Sequence, residues 1–175
     1  MKGWALLLAV WPAIALAEPF SFKEFKLDAT REEMMAARPG MRCQDGPLPV
    51  ADHTCSLVYE TIAGKEVQLL SVTFYDDHAS IIRLLIQHSD FNNVVDALTE
   101  RYGKPHSSET AQYANQLGAK FDRRTVRWLG DRSRIEAREY GGRIDRSVIE
   151  FIMNDSIEKF RVRRDRARSG AAKDL

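Results

Sequence analysis

The chain has 175 residues, 44% hydrophobic and 29% charged, with 26 Lys and Arg against 25 Asp and Glu. This near balance supplies no general attraction to nucleic acid or to an anionic membrane, so no nucleic acid partner is expected. The length suits one domain, or two small halves sharing a sheet, with a core that needs no structural metal.

Lys2 is followed by a nearly unbroken apolar run from Trp4 to Leu16, which ends in the small-x-small triplet Ala15-Leu16-Ala17 before Glu18. That is the anatomy of a secretory signal peptide over 1–17, cleaved after Ala17. The run is shorter than the roughly 20 apolar residues of a membrane-crossing helix, and no second long apolar run follows, so the mature chain is expected to lack a transmembrane span. No Cys follows the cleavage site, so lipid attachment is not expected. Lys2 is the one charged residue removed, which leaves 25 basic and 25 acidic side chains.

The exported part opens with Phe20, Phe22 and Phe25, within a predicted first strand over Phe20 to Leu27 that ties the new terminus to the body. Thr30 and Glu33 have capping-box spacing for a helix of about two turns, stopped by Pro39-Gly40. The only cysteines, Cys43 and Cys55, bracket a turn-rich loop. In an oxidising compartment they are expected to form a disulfide, which stabilises by about 3 kcal/mol on a chain-entropy estimate.

A strand is predicted from Ser56 to Ile62, a turn at Ala63-Gly64, and a returning strand from Lys65 to Tyr75 with Leu70, Val72 and Phe74 facing the core. Ser80 to Gln87 is too apolar for an edge and reads as a central strand. From Ser89 to Pro105 the pattern changes to helical. Phe91, Val94, Val95, Leu98 and Tyr102 share one face, Ser89 or Asp90 is placed to cap, and Gly103 and Pro105 end the helix. Strands then follow over Thr110 to Gln116, Ala119 to Leu129, Arg132 to Tyr140 and Ser147 to Met153, the last with Ile149, Phe151 and Met153 in one row.

The expected fold is α+β: an antiparallel sheet with short helices packed on one face, as one continuous sheet or as two tandem helix-plus-meander units. The domain spans 18–154, with halves at 18–88 and 89–154. Residues 155–175 are expected to form a basic C-terminal helix and a disordered tail, with Ile157 and Phe160 placed to dock one turn of the helix.

No sequence motif for nucleophilic, metal or phosphate chemistry is present, so catalytic, metal and cofactor sites are all read as none. Cys55 near His53 imitates a catalytic pair, but a disulfide would consume the thiolate. Asp76, Asp77 and His78 are the densest ligand types, yet aspartates are common in turns. Glu136, Glu139, Asp145 and Glu150 stand among many arginines, which suggests cross-strand ion pairs on a wet face. The same surface, through Arg127, Trp128, Arg138 and Tyr140, is the candidate interface, because arginine and aromatic residues are enriched in interface centres. Trp128 is also suited to the core. The run Arg161, Arg163, Arg164, Arg166 and Arg168 is the candidate contact for a polyanion or, weakly, a membrane surface.

The stretch F-K-L-D-A-T-R-E-E-M-M-A-A-R-P-G, followed by Cys43 and Cys55, T-I-A-G, the helix end A-L-T-E-R-Y-G-K-P, Trp128 and Asp145 to Ser147, resembles uncharacterised small periplasmic proteins of Proteobacteria. A Thr-capped helix followed by a three-stranded meander is, more distantly, similar to the module of SmpA/OmlA-type outer-membrane assembly lipoproteins, tandem copies of which occur in β-lactamase inhibitory proteins. Unlike the lipoproteins, this chain has no Cys after Ala17, and no inhibitor motif aligns. The resemblance implies a periplasmic, non-enzymatic protein that binds another envelope protein. A small hydrolase or metal-dependent enzyme is the alternative, and lipid or polyanion binding through the tail is a third reading.

Overall fold

A computed structural model describes residues 18–46, 51–114, 118, 120–141 and 143–171. The expected signal peptide at 1–17 and most of the turn expected at Asn115 to Gly118 lie outside the described residues.

The fold is mixed α and β. The chain order is β1 (Ser21–Phe22), β2 (Phe25–Lys26), α1 (Arg31–Ala37), β3 (Arg42–Asp45), β4 (His53–Leu57), β5 (Glu60–Ile62), β6 (Lys65–Tyr75) and β7 (His78–Gln87). A 3-10 turn at His88–Asp90 leads into α2 (Phe91–Tyr102), and then come β8 (Ser107–Ala114), β9 (Lys120–Leu129), β10 (Ser133–Arg138), β11 (Arg146–Met153) and α3 (Ser156–Ala171). One antiparallel sheet runs β3-β4-β6-β7-β11-β10-β9-β8, and β5 also pairs with β6. Each half thus supplies a meander, and the last strand of one, β7, pairs with the last strand of the other, β11.

Register explains how this sheet separates its two faces. Cys43, Cys55, Val72, Ile82, Phe151, Ile135 and Trp128 are successive partners from β3 to β9. A second apolar row runs Leu57, Leu70, Leu84, Ile149, Ala137 and Val126. Side chains alternate along a strand, so the row between these two points the other way. It reads Arg42, Ser56, Ser71, Arg83, Glu150, Glu136, Arg127 and Ser107, polar at all eight positions.

Apart from Cys43 and Leu57, which are partly buried and pack against it, the apolar rows belong to one buried cluster that also holds Met34 of α1 and Phe91, Val94, Val95 and Leu98 of α2. The Cys43–Cys55 disulfide joins two directly opposed residues of β3 and β4, and Cys55 is fully buried. The aromatics at Phe20, Phe22 and Phe25 tie this end of the described chain down. Phe20 meets Tyr102 edge-on at 5.2 Å, Phe22 lies 6.0 Å from Phe151, and the Tyr102 hydroxyl donates to the Ser21 carbonyl at 2.6 Å. Buried Glu60 pairs with Lys23 at 2.8 Å and with Arg38, fixing the first hairpin and the end of α1 to the sheet.

Several local expectations change. The predicted first strand is a tight hairpin, β1 and β2, turned by a positive φ at Lys23. The predicted Ser56 to Ile62 strand is split, because a positive φ at Tyr59 carries Val58 and Tyr59 outward, although β4 and β5 keep one register against β6. The Thr30–Glu33 capping box forms in full, whereas neither Ser89 nor Asp90 caps α2; the 3-10 turn has already placed Asp90 in helical geometry. Gly103 ends α2 at φ +81°, with its amide bonded to the Thr99 carbonyl. Met35 is exposed, unlike Met34.

The C-terminal segment forms a 16-residue helix, Ser156–Ala171. Ile157 is exposed and does not dock it. Ser156 Oγ donates to the Ser80 carbonyl at 3.0 Å, and Arg163 pairs with Asp52 and Asp76 while lying 5.2 Å from the Tyr75 ring. Among the described residues no helix is long and apolar enough to cross a membrane.

Candidate functional site: an arginine-glutamate ladder in a trough

The polar row opens onto a trough of about 570 Å³, lined among others by Leu69, Ser71, Arg83, Leu85, Arg138 and Val148. Its centre is a chain of ion pairs running sideways across five strands. Arg83 on β7 donates from Nε to Glu150 Oε1 at 2.7 Å. Arg138 on β10 donates to Glu150 Oε2 at 2.6 Å and to Glu136 Oε1 at 3.0 Å. Arg127 on β9 donates from Nε to Glu136 Oε2 at 3.0 Å and from a terminal nitrogen to Glu109 on β8 at 2.9 Å.

The ladder answers a problem set by the register. Glu136 and Glu150 are directly opposed, and like charges in that position repel. Arg138 stands two residues along β10 from Glu136, on the same face, and its two terminal nitrogens reach one carboxylate each. Both oxygens of both glutamates are therefore occupied, and Glu150, whose side chain is only 5% exposed, is compensated from two sides. Hydrogen bonds, first to Glu136 and then to Glu109, hold the Arg127 guanidinium above its ordinary pKa.

Aromatic side chains stand at one end of the trough. Tyr113 and Tyr140 both contact Phe121, with ring centres 5.2 and 5.0 Å away, and His88 stacks on Tyr140 at 4.6 Å. Arg123 lies 4.7 Å from the Tyr113 ring centre. Gly141 closes against Val148: a Cβ there would collide with Val148 Cγ2.

Of the four candidate interface residues, three gather here: Arg127, Arg138 and Tyr140. Trp128 does not. It is 1% exposed, on the opposite face, and its indole donates to the Gly103 carbonyl at 2.8 Å. It is a core residue, because one step along β9 from Arg127 reverses the side-chain direction. Sequence reasoning missed Arg83, Glu109 and the apolar wall of Leu69, Leu85 and Val148. The available signal was Arg83 itself, the single charge inside S-I-I-R-L-L-I-Q.

The other candidate groups are dispersed. Glu139 accepts from the Arg124 amide, and Asp145 is held below its ordinary pKa by the hydrogen bond from Arg143. Cys55 is in the disulfide, and His53 meets Asp45 at 3.1 Å. Asp76 and Asp77 form the β6–β7 turn with positive φ and pair with Arg163 and Arg31, while His78 hydrogen-bonds the Asp28 carbonyl. In the tail, Arg163 is committed to Asp52 and Asp76, Arg161 to Glu158, and Arg164 to Asp165. Arg166 is exposed, and the side chain of Arg168 lies outside the described set.

No family model, curated protein or solved structure matches the chain.

Proposed function

We propose that this is an exported periplasmic protein of non-enzymatic type that binds another envelope protein through the trough face of its sheet. The signal-peptide pattern of residues 1–17 supports export. In this reading the short helices lie against the opposite face, each opening one of two tandem helix-plus-meander units, so that the ladder face is left for a partner. The burial of Met34, Phe91, Val94 and Leu98 in one cluster with Val72, Ile82 and Ile149 supports that placement.

The observation that carries the reading is the composition of the trough. Arg83, Arg127 and Arg138 are held in fixed geometry by shared carboxylates, beside tyrosines, exposed Leu69 and partly exposed Leu85. Arginines ordered before contact lose less conformational freedom on binding, and the neighbouring apolar surface adds area to desolvate. The engagement of Arg161, Arg163 and Arg164 within the protein favours this face over the basic tail as the contact surface.

A photoreactive residue introduced at Ser71 in the trough, and separately at exposed Glu32 on α1, tests the reading in intact cells. A discrete adduct from position 71 alone is expected. Adducts from neither position, or from position 32 alone, would overturn it.

A further inference from the structure

We infer that the occupant of the trough is an extended, acidic segment of a partner protein that presents both carboxylates and aliphatic side chains on one face, at every second residue. This rests on the trough face being the contact face, and it names the chemistry of the partner.

The argument is an inventory of donors and acceptors. A guanidinium carries five N–H donors and no acceptor, whereas an ionised carboxylate only accepts. In the ladder, both oxygens of Glu136 and both of Glu150 already accept from arginine. The arginines are not used up. Arg83 spends only its Nε, and among the described residues its two terminal amino groups make no hydrogen bond; its side chain is 53% exposed. Arg138 spends its terminal nitrogens on the glutamates, and Arg127 keeps one terminal nitrogen beyond its bonds to Glu136 and Glu109. A face built of equal numbers of ladder arginines and glutamates therefore offers donors and few acceptors.

An acceptor-rich ligand is the complement, and carboxylate is the group whose planar geometry a guanidinium matches in two parallel hydrogen bonds. The apolar wall selects among acceptors. Leu69, Leu85 and Val148 are successive register partners across β6, β7 and β11, next along their strands to the apolar row of Leu70, Leu84 and Ile149 and on the opposite face from it. They flank the arginines on the same side as Arg138 and Thr125, which continue their row. An inorganic anion would leave that wall wet. Residues i and i+2 of an extended segment share a face, so a carboxylate at one and an aliphatic side chain at the next can reach Arg83 and the Leu69–Leu85 pair together.

The test uses the chain from Glu18 onward, labelled with nitrogen-15, and three probes: the capped peptide Glu-Ser-Leu-Ser-Glu, its counterpart with Gln in place of Glu, and glutarate. The expected result is saturable shift changes at the amides of Leu69, Leu85 and Val148 with the acidic peptide. Its affinity should fall as salt rises and exceed that of either control by roughly tenfold, the worth of about one charge-assisted hydrogen bond. Arg83→Gln should remove most of that margin while leaving the thermal midpoint nearly unchanged. Equal binding of the Glu and Gln peptides, shifts confined to other faces, no binding of any probe, or an unchanged affinity in Arg83→Gln would each overturn the inference. The adduct at position 71 separates the two levels. If it forms with a partner peptide free of Asp and Glu, the contact face stands and the acidic occupant falls. If no adduct forms, both fall.

Discussion

Glu136 and Glu150 stand directly opposite each other on β10 and β11, and a single guanidinium, that of Arg138, donates to both at 3.0 and 2.6 Å. The rest of the trough is arranged around that bridge. Arg83 and Arg127 take the two outward carboxylate oxygens, and Arg127 also holds Glu109, which spreads the pairing over five neighbouring strands.

Arg138 should therefore matter more to stability than its neighbours. Arg138→Gln leaves two facing carboxylates, one of them nearly buried, and is expected to cost about 2 kcal/mol. Arg83→Gln removes a half-exposed partner and is expected to cost less than about 1 kcal/mol. Chemical denaturation of the two variants checks the ranking; equal losses would show that the bridge is not the ladder's centre.

The disulfide links adjacent strands across a sequence separation of 12, with one sulfur in the core. Replacing both Cys43 and Cys55 with Ala is expected to cost about 3 kcal/mol from the constraint on the unfolded chain. For a protein of this size that is a fall in Tm of roughly 6–12 °C. Calorimetry of the double variant measures it, and a fall under about 2 °C would mean the hairpin is held by its hydrogen bonds and packing alone.

Helix α3 should respond to acid through Asp52. The hydrogen bond from Arg163 holds the Asp52 carboxyl below its ordinary value, with further help from the Asp76 amide and against burial. Because the folded-state pKa is lowered, the contribution is fully present above the unfolded value near 4 and is lost as pH falls through the folded one. Asp52→Asn is expected to lower stability at pH 7, and the difference from the parent should shrink as the pH falls below about 4. Denaturation at a series of pH values checks this; a difference that grows on acidification would have the wrong sign.

Trp128 gives an optical check on the core. It is the sole tryptophan from Glu18 onward, since Trp4 and Trp11 precede it. Buried beside α2 and bonded to the Gly103 carbonyl, it should emit at short wavelength and resist iodide quenching. Trp128→Ala is expected to cost about 3–5 kcal/mol, and Trp128→Phe less. An emission maximum typical of a solvated indole would contradict the assignment of the two faces.

Much of the architecture could be read in advance because period and punctuation agreed. The α2 segment carried its apolar residues at helical spacing and ended in Gly103, and Lys65 to Tyr75 alternated cleanly around Leu70, Val72 and Phe74. The Thr30–Glu33 box and the cysteine pair were legible for the same reason: each is a local chemical requirement. What stayed hidden depended on register. Nothing local says that Arg83 will face Glu150, 67 residues away, or that one apolar strand will carry its single charge into a trough. Trp128 was ambiguous because residue type suits both roles, and only the strand's phase decides. The anchoring of α3 stayed hidden because it is polar: Arg163 is held by acids from two distant turns, not by an apolar stripe.

The most direct test of the central claim is to fill the trough and look for loss of the partner. Ser71 lies in the row beside Arg83 and outside the ion-pair ladder, so Ser71→Trp adds bulk there without removing a charge. Glu32→Trp on α1 is the matched control. With a photoreactive residue at Leu85, the account expects the adduct to be lost in Ser71→Trp and kept in Glu32→Trp, with both variants folded by thermal melting. An adduct that survives Ser71→Trp would contradict it.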